Sequence, residues 1–300
     1  YEIGVRLVGS EMCIRDSIIL ISIFSLTVIS CAKKSSDDSS TTSSGLFVVV
    51  GDSGTILTSS DGTTWTSRTS GTSNGLYNIF YGNSTFVAVG VGGTILTSSD
   101  GTTWISRTSG TSENLYGITY GNSTFVVVGD NDSGSVGTIL TSSDGITWTS
   151  RTSGTTNDLW DVNYGNNTFV ASDSTGGIRT SSDGISWTSR TSGITSGIWG
   201  GAYGNSKFVV ASFGGHILTS SDGTTWTSRT SGTTSALYDV AYGNSQFAAV
   251  GDGGTAITSS DGTSWSCLLY TSPSPRDELL SRMQYSALKK KGRGGGGGGG

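Results

Sequence analysis

The central part of this chain has very little with which to do chemistry or to staple a fold. Between residues 46 and 266 there is no cysteine, one histidine (His216) and one glutamate (Glu113). Neither a disulfide framework nor a Cys/His metal site can be built from that inventory, so the fold must rest on packed aliphatic and aromatic side chains. Arginine is scarce too, and apart from one recurrent position only Arg179 stands alone. Glycoside hydrolysis needs two carboxyl groups in contrasting environments, and no unrepeated constellation here supplies them. No sustained helical period runs through 46–266. The apolar stretch at 18–30 has 13 residues, too few to span a bilayer.

What the chain has is repetition. The string SSDG recurs with its aspartate at Asp61, Asp100, Asp144, Asp183, Asp222 and Asp261. Each is followed four residues later by a tryptophan: Trp65, Trp104, Trp148, Trp187, Trp226 and Trp265. The intervals are 39, 44, 39, 39 and 39 residues, the surplus being one insertion at 131–135. Within one period lie four short runs in which apolar and polar residues alternate: LYNIFY (76–81), TFVAVG (85–90), TILTS (94–98) and TTWISR (102–107). Period two, β-branched and aromatic enrichment and Gly/Asn/Asp/Ser at every break predict antiparallel meanders. Four strands per period of roughly 40 residues are the proportions of a propeller blade. The fold class expected is therefore all-β, a propeller of four-stranded blades. Six repeats are seen and six or seven blades are expected in the intact protein, with the tryptophans in the packing between blades.

The SSDGTTW string resembles the Asp box of BNR/sialidase-like propellers, and the chain is also similar to YVTN-type and photosystem II assembly-factor-like propellers. That resemblance covers 46–266 and implies that the six aspartates shape the turn between the third and fourth strands. On this reading they are not six active sites. The same resemblance raises a sialidase-like glycoside hydrolase, or an assembly factor for a membrane complex, as alternatives to a plain binding module.

Both ends read as foreign. Residues 7–17 (LVGSEMCIRDS) and 267–277 (CLLYTSPSPRD) back-translate to opposite strands of one oligonucleotide, which resembles a transposase-type library adapter. Segments 1–17 and 267–300 are accordingly expected to be adapter-derived and are set aside from fold reasoning, along with the basic tail that would otherwise suggest nucleic-acid binding. Residues 18–266 then hold 17 acidic and 9 basic side chains, a net charge of −8. Residues 18–31 read as a truncated signal peptide ending Val28-Ile29-Ser30-Cys31, which resembles a bacterial lipobox. The resemblance implies lipidation of Cys31 and anchoring in the cell envelope, at the outer membrane or cell surface if the source is Gram-negative. Residues 32–45, rich in Ser, Thr and Asp, are expected to be a disordered tether.

Comparison of the copies separates two sets of connections. The SSDG turn and the Tyr-Gly-Asn turn barely vary. The linker before each first strand and the turn after each second strand vary most, and in an up-and-down blade these two share one face. Variable loops on a rigid scaffold are where function tends to sit. The candidate binding face accordingly includes Glu113, Asp130, Asp132, Asp158, Asp161, Arg179, His216 and Asp239. The Asp130–Asp132 region is also considered for calcium, although no glutamate follows where a calcium loop needs one. Tyr77, Tyr116, Trp160, Trp199 and Tyr238, second in each first strand, are expected mainly in the core, with stacking on a sugar as the alternative. The function expected is a non-catalytic, lipid-anchored module that binds or scaffolds a protein or glycan. It calls for no cofactor, metal or nucleic acid.

Overall fold

The computed structural model describes residues 6–7, 28–34, 45–131, 134 and 136–267, with only the backbone described at 6–7 and 28–34. Most of the signal-like stretch and of the tether, Asp132, and residues 268–300 lie outside the described residues. Six four-stranded antiparallel blades follow one another along the chain, each a meander whose strands pair in sequence order. The second blade is representative: Leu76–Gly82, Thr85–Gly90, Ile95–Ser98 and Ile105–Arg107. The chain is a β-propeller.

Local sequence explains the blade. The first hairpin closes on a two-residue turn, Asn83–Ser84, with φ of 46° and 57°. Two consecutive left-handed residues make the turn that matches strand twist, and asparagine tolerates that region best after glycine. Asn122, Asn166, Asn205 and Asn244 repeat it. The third and fourth strands are joined by the SDG turn, whose glycine also has positive φ (Gly101, 74°).

Burial follows the period of two. In the third blade Val126 and Val128 pack towards the fourth blade, with Leu159, Val162 and Phe169. Their neighbours Phe125 and Val127 pack towards the second, with Val87, Val89 and Ile95. Both faces of the second strand are thus buried, and each core cluster lies between two adjacent blades. One phenylalanine per blade (Phe47, Phe86, Phe125, Phe169, Phe208, Phe247) is fully buried, the kind of side chain whose loss costs about 3–5 kcal/mol. Each tryptophan of the repeat is half-buried. Trp104, Trp148, Trp187, Trp226 and Trp265 pack on the inter-blade clusters as expected. Close approach is enforced at the end of the inner strands: a Cβ on Gly165 would stand 2.0 Å from the Tyr203 ring of the next blade.

The first blade draws its inner strand from an unexpected place. Val28–Lys34 pairs antiparallel with Leu46–Gly51, setting Cys31 opposite Val49 and Val28 opposite Gly51. Cys31 therefore takes the register position that Ile79 holds opposite Ala88 in the second blade. Arg6–Leu7 adds to it in parallel. The inner strand of the first blade is thus supplied by the segment with lipobox character. Backbone pairing alone lets VISCAKK occupy the register that LYNIFY holds in the second blade.

Candidate functional site

All six Asp boxes have one geometry. In the second blade Asp100 Oδ1 accepts the backbone N–H groups of Thr102 at 2.8 Å and Thr103 at 2.9 Å, and the Ser98 hydroxyl at 2.9 Å. Ser98 Oγ in turn accepts the Gly101 N–H at 2.8 Å, and Trp104 Nε1 donates to the Gly101 carbonyl at 3.1 Å. These backbone donors hold the carboxyls of Asp61, Asp100, Asp144 and Asp183 below the ordinary aspartate range. At Asp261 the backbone N–H of Ser264 leads, and at Asp222 the Thr224 hydroxyl leads, with the same direction. Each carboxylate is consumed in shaping a turn. The turns are also laced across blades, since Asn83 Nδ2 donates to the Ser143 carbonyl at 3.2 Å and Asn122 Nδ2 to that of Ser182 at 3.3 Å. The near-invariant face is therefore structural.

The opposite face carries the variable connections, and hydrogen bonds place them together. Asn74, before the second blade, donates to Val91 O at 3.3 Å and Thr94 Oγ1 at 2.8 Å in that blade's second connection. Asp130 is buried: Oδ1 accepts Asn114 N–H at 2.8 Å, and Oδ2 accepts Asn114 Nδ2 at 2.7 Å and the Tyr116 hydroxyl at 3.1 Å. Burial, with the Asp130 charge second, raises the Tyr116 phenol well above its ordinary value. Asp158 accepts the Asn131 N–H at 3.2 Å. Asp161 and Asp239 are buried on inner strands, accepting the N–H of Val162 at 2.7 Å and of Val240 at 2.8 Å. Glu113 is half-buried in the linker before the third blade. His216 is exposed beside an open groove of about 600 Å³ bordered by Arg229 and the 230–234 linker.

Arg179 turns inward. Its Nη1 lies 3.2 Å from Asp173 Oδ2, with side-chain exposures of 10% and 1%, while Nε and Nη2 donate to the carbonyls of Ser153 and Gly154. Other blades have Leu or Ile in its place (Leu96, Leu140, Leu218, Ile257) and mostly Gly in place of Asp173. Arg179, His216 and Glu113 sit in three separate connections or strands and form no common centre. The recurrent Arg68, Arg107, Arg151, Arg190 and Arg229 each donate Nε to a threonine of the neighbouring strand, at 2.8–2.9 Å.

A different constellation dominates the variable face. The inner strand of each blade carries a register shift at its second residue, between Leu76 and Asn78, Leu115 and Gly117, Leu159 and Asp161, Ile198 and Gly200, and Leu237 and Asp239. The residue in each bulge is Tyr77, Tyr116, Trp160, Trp199 or Tyr238. A bulge takes a side chain out of strict alternation and re-aims it. Trp160 and Trp199 stack with centroids 4.2 Å apart, and Trp199 meets Tyr238 at 5.5 Å. Phe213, from the second connection of the fifth blade, stands 5.3 Å from Trp199 and 6.4 Å from Trp160 and Tyr238. Trp199 and Phe213 are each 37% exposed, far more than the packed core aromatics. The Tyr238 hydroxyl donates to Asp252. Sequence comparison singled out all five bulge positions, expecting them mainly in the core, and missed Phe213. The available signal was that Asp52, Val91, Asp130, Ser174 and Asp252 fill its place in the other blades.

With that geometry in view, comparison with known proteins is informative about fold. No family model and no curated protein matches the chain. Among solved structures it is similar to one described as YCF48 bound to D1 peptide, at 18% identity and a TM-score of 0.62, covering 81% of each chain. YCF48 from Cyanidioschyzon merolae is similar at 17% identity and a TM-score of 0.55, covering 71% of this chain and 79% of that one. The computationally designed Ika8 protein follows at 14% identity and a TM-score of 0.58, covering 80% and 73%. The shared property is the propeller fold.

Proposed function

We propose that this chain is a non-catalytic binding module that captures a segment of a protein partner on the aromatic platform of its variable face. The observation that carries this reading is the convergence of Trp160, Trp199, Phe213 and Tyr238, with two of the four rings open to solvent. Large, stiff aromatic side chains anchor protein partners at low entropic cost, and this one is mounted on bulges of a rigid scaffold. The propeller described as bound to D1 peptide supports a peptide rather than a glycan as the ligand class. The scattering of Glu113, His216 and Arg179, with Arg179 held by Asp173, speaks for binding without turnover. Panning a random peptide library against the full chain tests it. Enriched peptides should lose binding to Trp199→Ala and Phe213→Ala variants whose melting temperatures match the parent. Peptides that bind these variants equally well, or no enrichment at all, would end the proposal.

We also propose attachment to a bacterial membrane through a lipid on Cys31, on the strength of the apolar 18–30 stretch and its lipobox-like end. Cleavage before Cys31 would remove the first three residues of Val28–Lys34, so the first blade of the mature form would take its inner strand from elsewhere. Radiolabelled palmitate should enter the chain expressed in a lipoprotein-processing bacterium and not its Cys31→Ser variant. Equal labelling of both would refute the assignment.

A further inference from the structure

Trp199, Phe213 and Tyr238 are nearly perpendicular to one another. Their interplanar angles are 84° (Trp199–Phe213), 78° (Trp199–Tyr238) and 84° (Phe213–Tyr238). Three mutually perpendicular rings are the arrangement that the corner of a box requires. With centroid separations of 5.3, 5.5 and 6.4 Å, one small group seated over the triangle of rings lies within the ~6 Å over which a ring face attracts a cation. Simple apolar packing would instead bury these rings, as it buries the six blade phenylalanines. Here the corner stays open, Trp199 and Phe213 being 37% exposed.

Carboxylates flank the corner. The Tyr238 hydroxyl donates to Asp252, and Asp161 and Asp239 directly follow Trp160 and Tyr238 on their strands. Arg179 is spent on Asp173, and Arg229, which borders the groove beside Gly214 and His216, donates its Nε to Thr219. An anionic or neutral ligand would gain nothing from this field, whereas a cation gains from both the ring faces and the carboxylates. The corner is confined to the fifth and sixth blades. On the second and third blades Tyr77 and Tyr116 pair at 5.3 Å without a third ring, and the Tyr116 hydroxyl is tied to Asp130.

We infer that this corner is a cation-recognising subsite that takes a lysine or arginine side chain of the partner segment. The inference rests on the peptide-binding reading above and adds the chemistry that selects the peptide. The test compares blocked pentapeptides Gly-Gly-Lys-Gly-Gly and Gly-Gly-Arg-Gly-Gly with the norleucine and glutamate versions. Binding to the full chain is followed by tryptophan indole N–H chemical shifts. The cationic peptides should bind at least ~10-fold more tightly than the norleucine peptide. Trp199→Ala and Phe213→Ala should each abolish that preference, and Trp199→Phe, which keeps a ring face, should preserve most of it. Norleucine binding as tightly as lysine would overturn the inference while leaving the platform as an apolar peptide site. Lysine binding unchanged in Trp199→Ala would place the cation elsewhere and overturn it too. If library peptides bind the platform but show no enrichment in Lys or Arg, the inference fails and the proposed function stands. If no peptide of any kind binds, the proposed function fails with it.

Discussion

Replacing Arg179 by leucine restores the residue type of the other blades and should nevertheless destabilise the protein. The guanidinium lies 3.2 Å from Asp173 in a site where the two side chains are 10% and 1% exposed. Removing one partner of such a pair strands a buried charge and costs about 3 kcal/mol or more. The lower end applies because Asp173 keeps hydrogen bonds from the Thr175 and Gly177 N–H groups, at 2.9 and 2.6 Å, and from Asn157. For a domain of this size that is a drop in melting temperature of roughly 6–12 °C. Combining Arg179→Leu with Asp173→Asn removes both charges while leaving an amide oxygen to accept the turn N–H groups. The double variant should recover most of the loss, a coupling of about 2 kcal/mol in a urea-unfolding cycle. The pH dependence gives an internal check. Burial pushes the Asp173 carboxyl up, but its hydrogen bonds outweigh burial and hold it below the ordinary aspartate value. A carboxyl depressed in the folded state contributes stability above its unfolded pKa and loses it as pH falls. In Arg179→Leu that carboxyl is less depressed, so the gap to the parent should hold between pH 7 and about 5 and narrow as pH falls below about 4. A gap independent of pH, or a double variant as unstable as the sum of its parts, would refute the argument.

Four further outcomes follow from the blade geometry. Asp100→Ala deletes the acceptor of two backbone N–H groups and a hydroxyl and should cost about 1 kcal/mol in denaturant unfolding, with Asp100→Asn costing less. The six Asp-box carboxyls, all depressed from 3.8, contribute fully above that value. Melting temperature should therefore hold between pH 7 and about 5 and fall as pH drops below about 4. Gly165→Ala, whose new Cβ would meet the Tyr203 ring at 2.0 Å, should cost ~1–3 kcal/mol. Gly75→Ala, with its nearest neighbour at 3.5 Å, should stay within about 0.5 kcal/mol.

Repeat count, strand order, turn chemistry and the inter-blade place of the tryptophans were legible in the amino-acid sequence because they are local and repeated six times. An Asn-Ser or Ser-Asp-Gly turn needs only its own few residues to close, and a period of two orients each strand towards its neighbours wherever the blade sits. The division into a near-invariant and a variable face followed from the same comparison. What stayed hidden depends on partners distant in the chain. Arg179 on its own reads as a candidate ligand, and only packing shows it neutralised by Asp173 beneath the 153–154 linker. Val28–Cys31 reads as the end of an export signal and residues 32–34 as the start of a tether, yet in the folded chain Val28–Lys34 meets the backbone pairing demand of Leu46–Gly51. The aromatic corner needed both. Trp199 and Tyr238 belong to the repeat pattern, but a one-residue bulge turns them outward, and Phe213 joins them from a different connection. Sequence by itself determined the propeller and its two faces, because those rest on local periodicity. Tertiary structure decided which side chains share one open corner, because that depends on how two adjacent blades and a connection between strands meet.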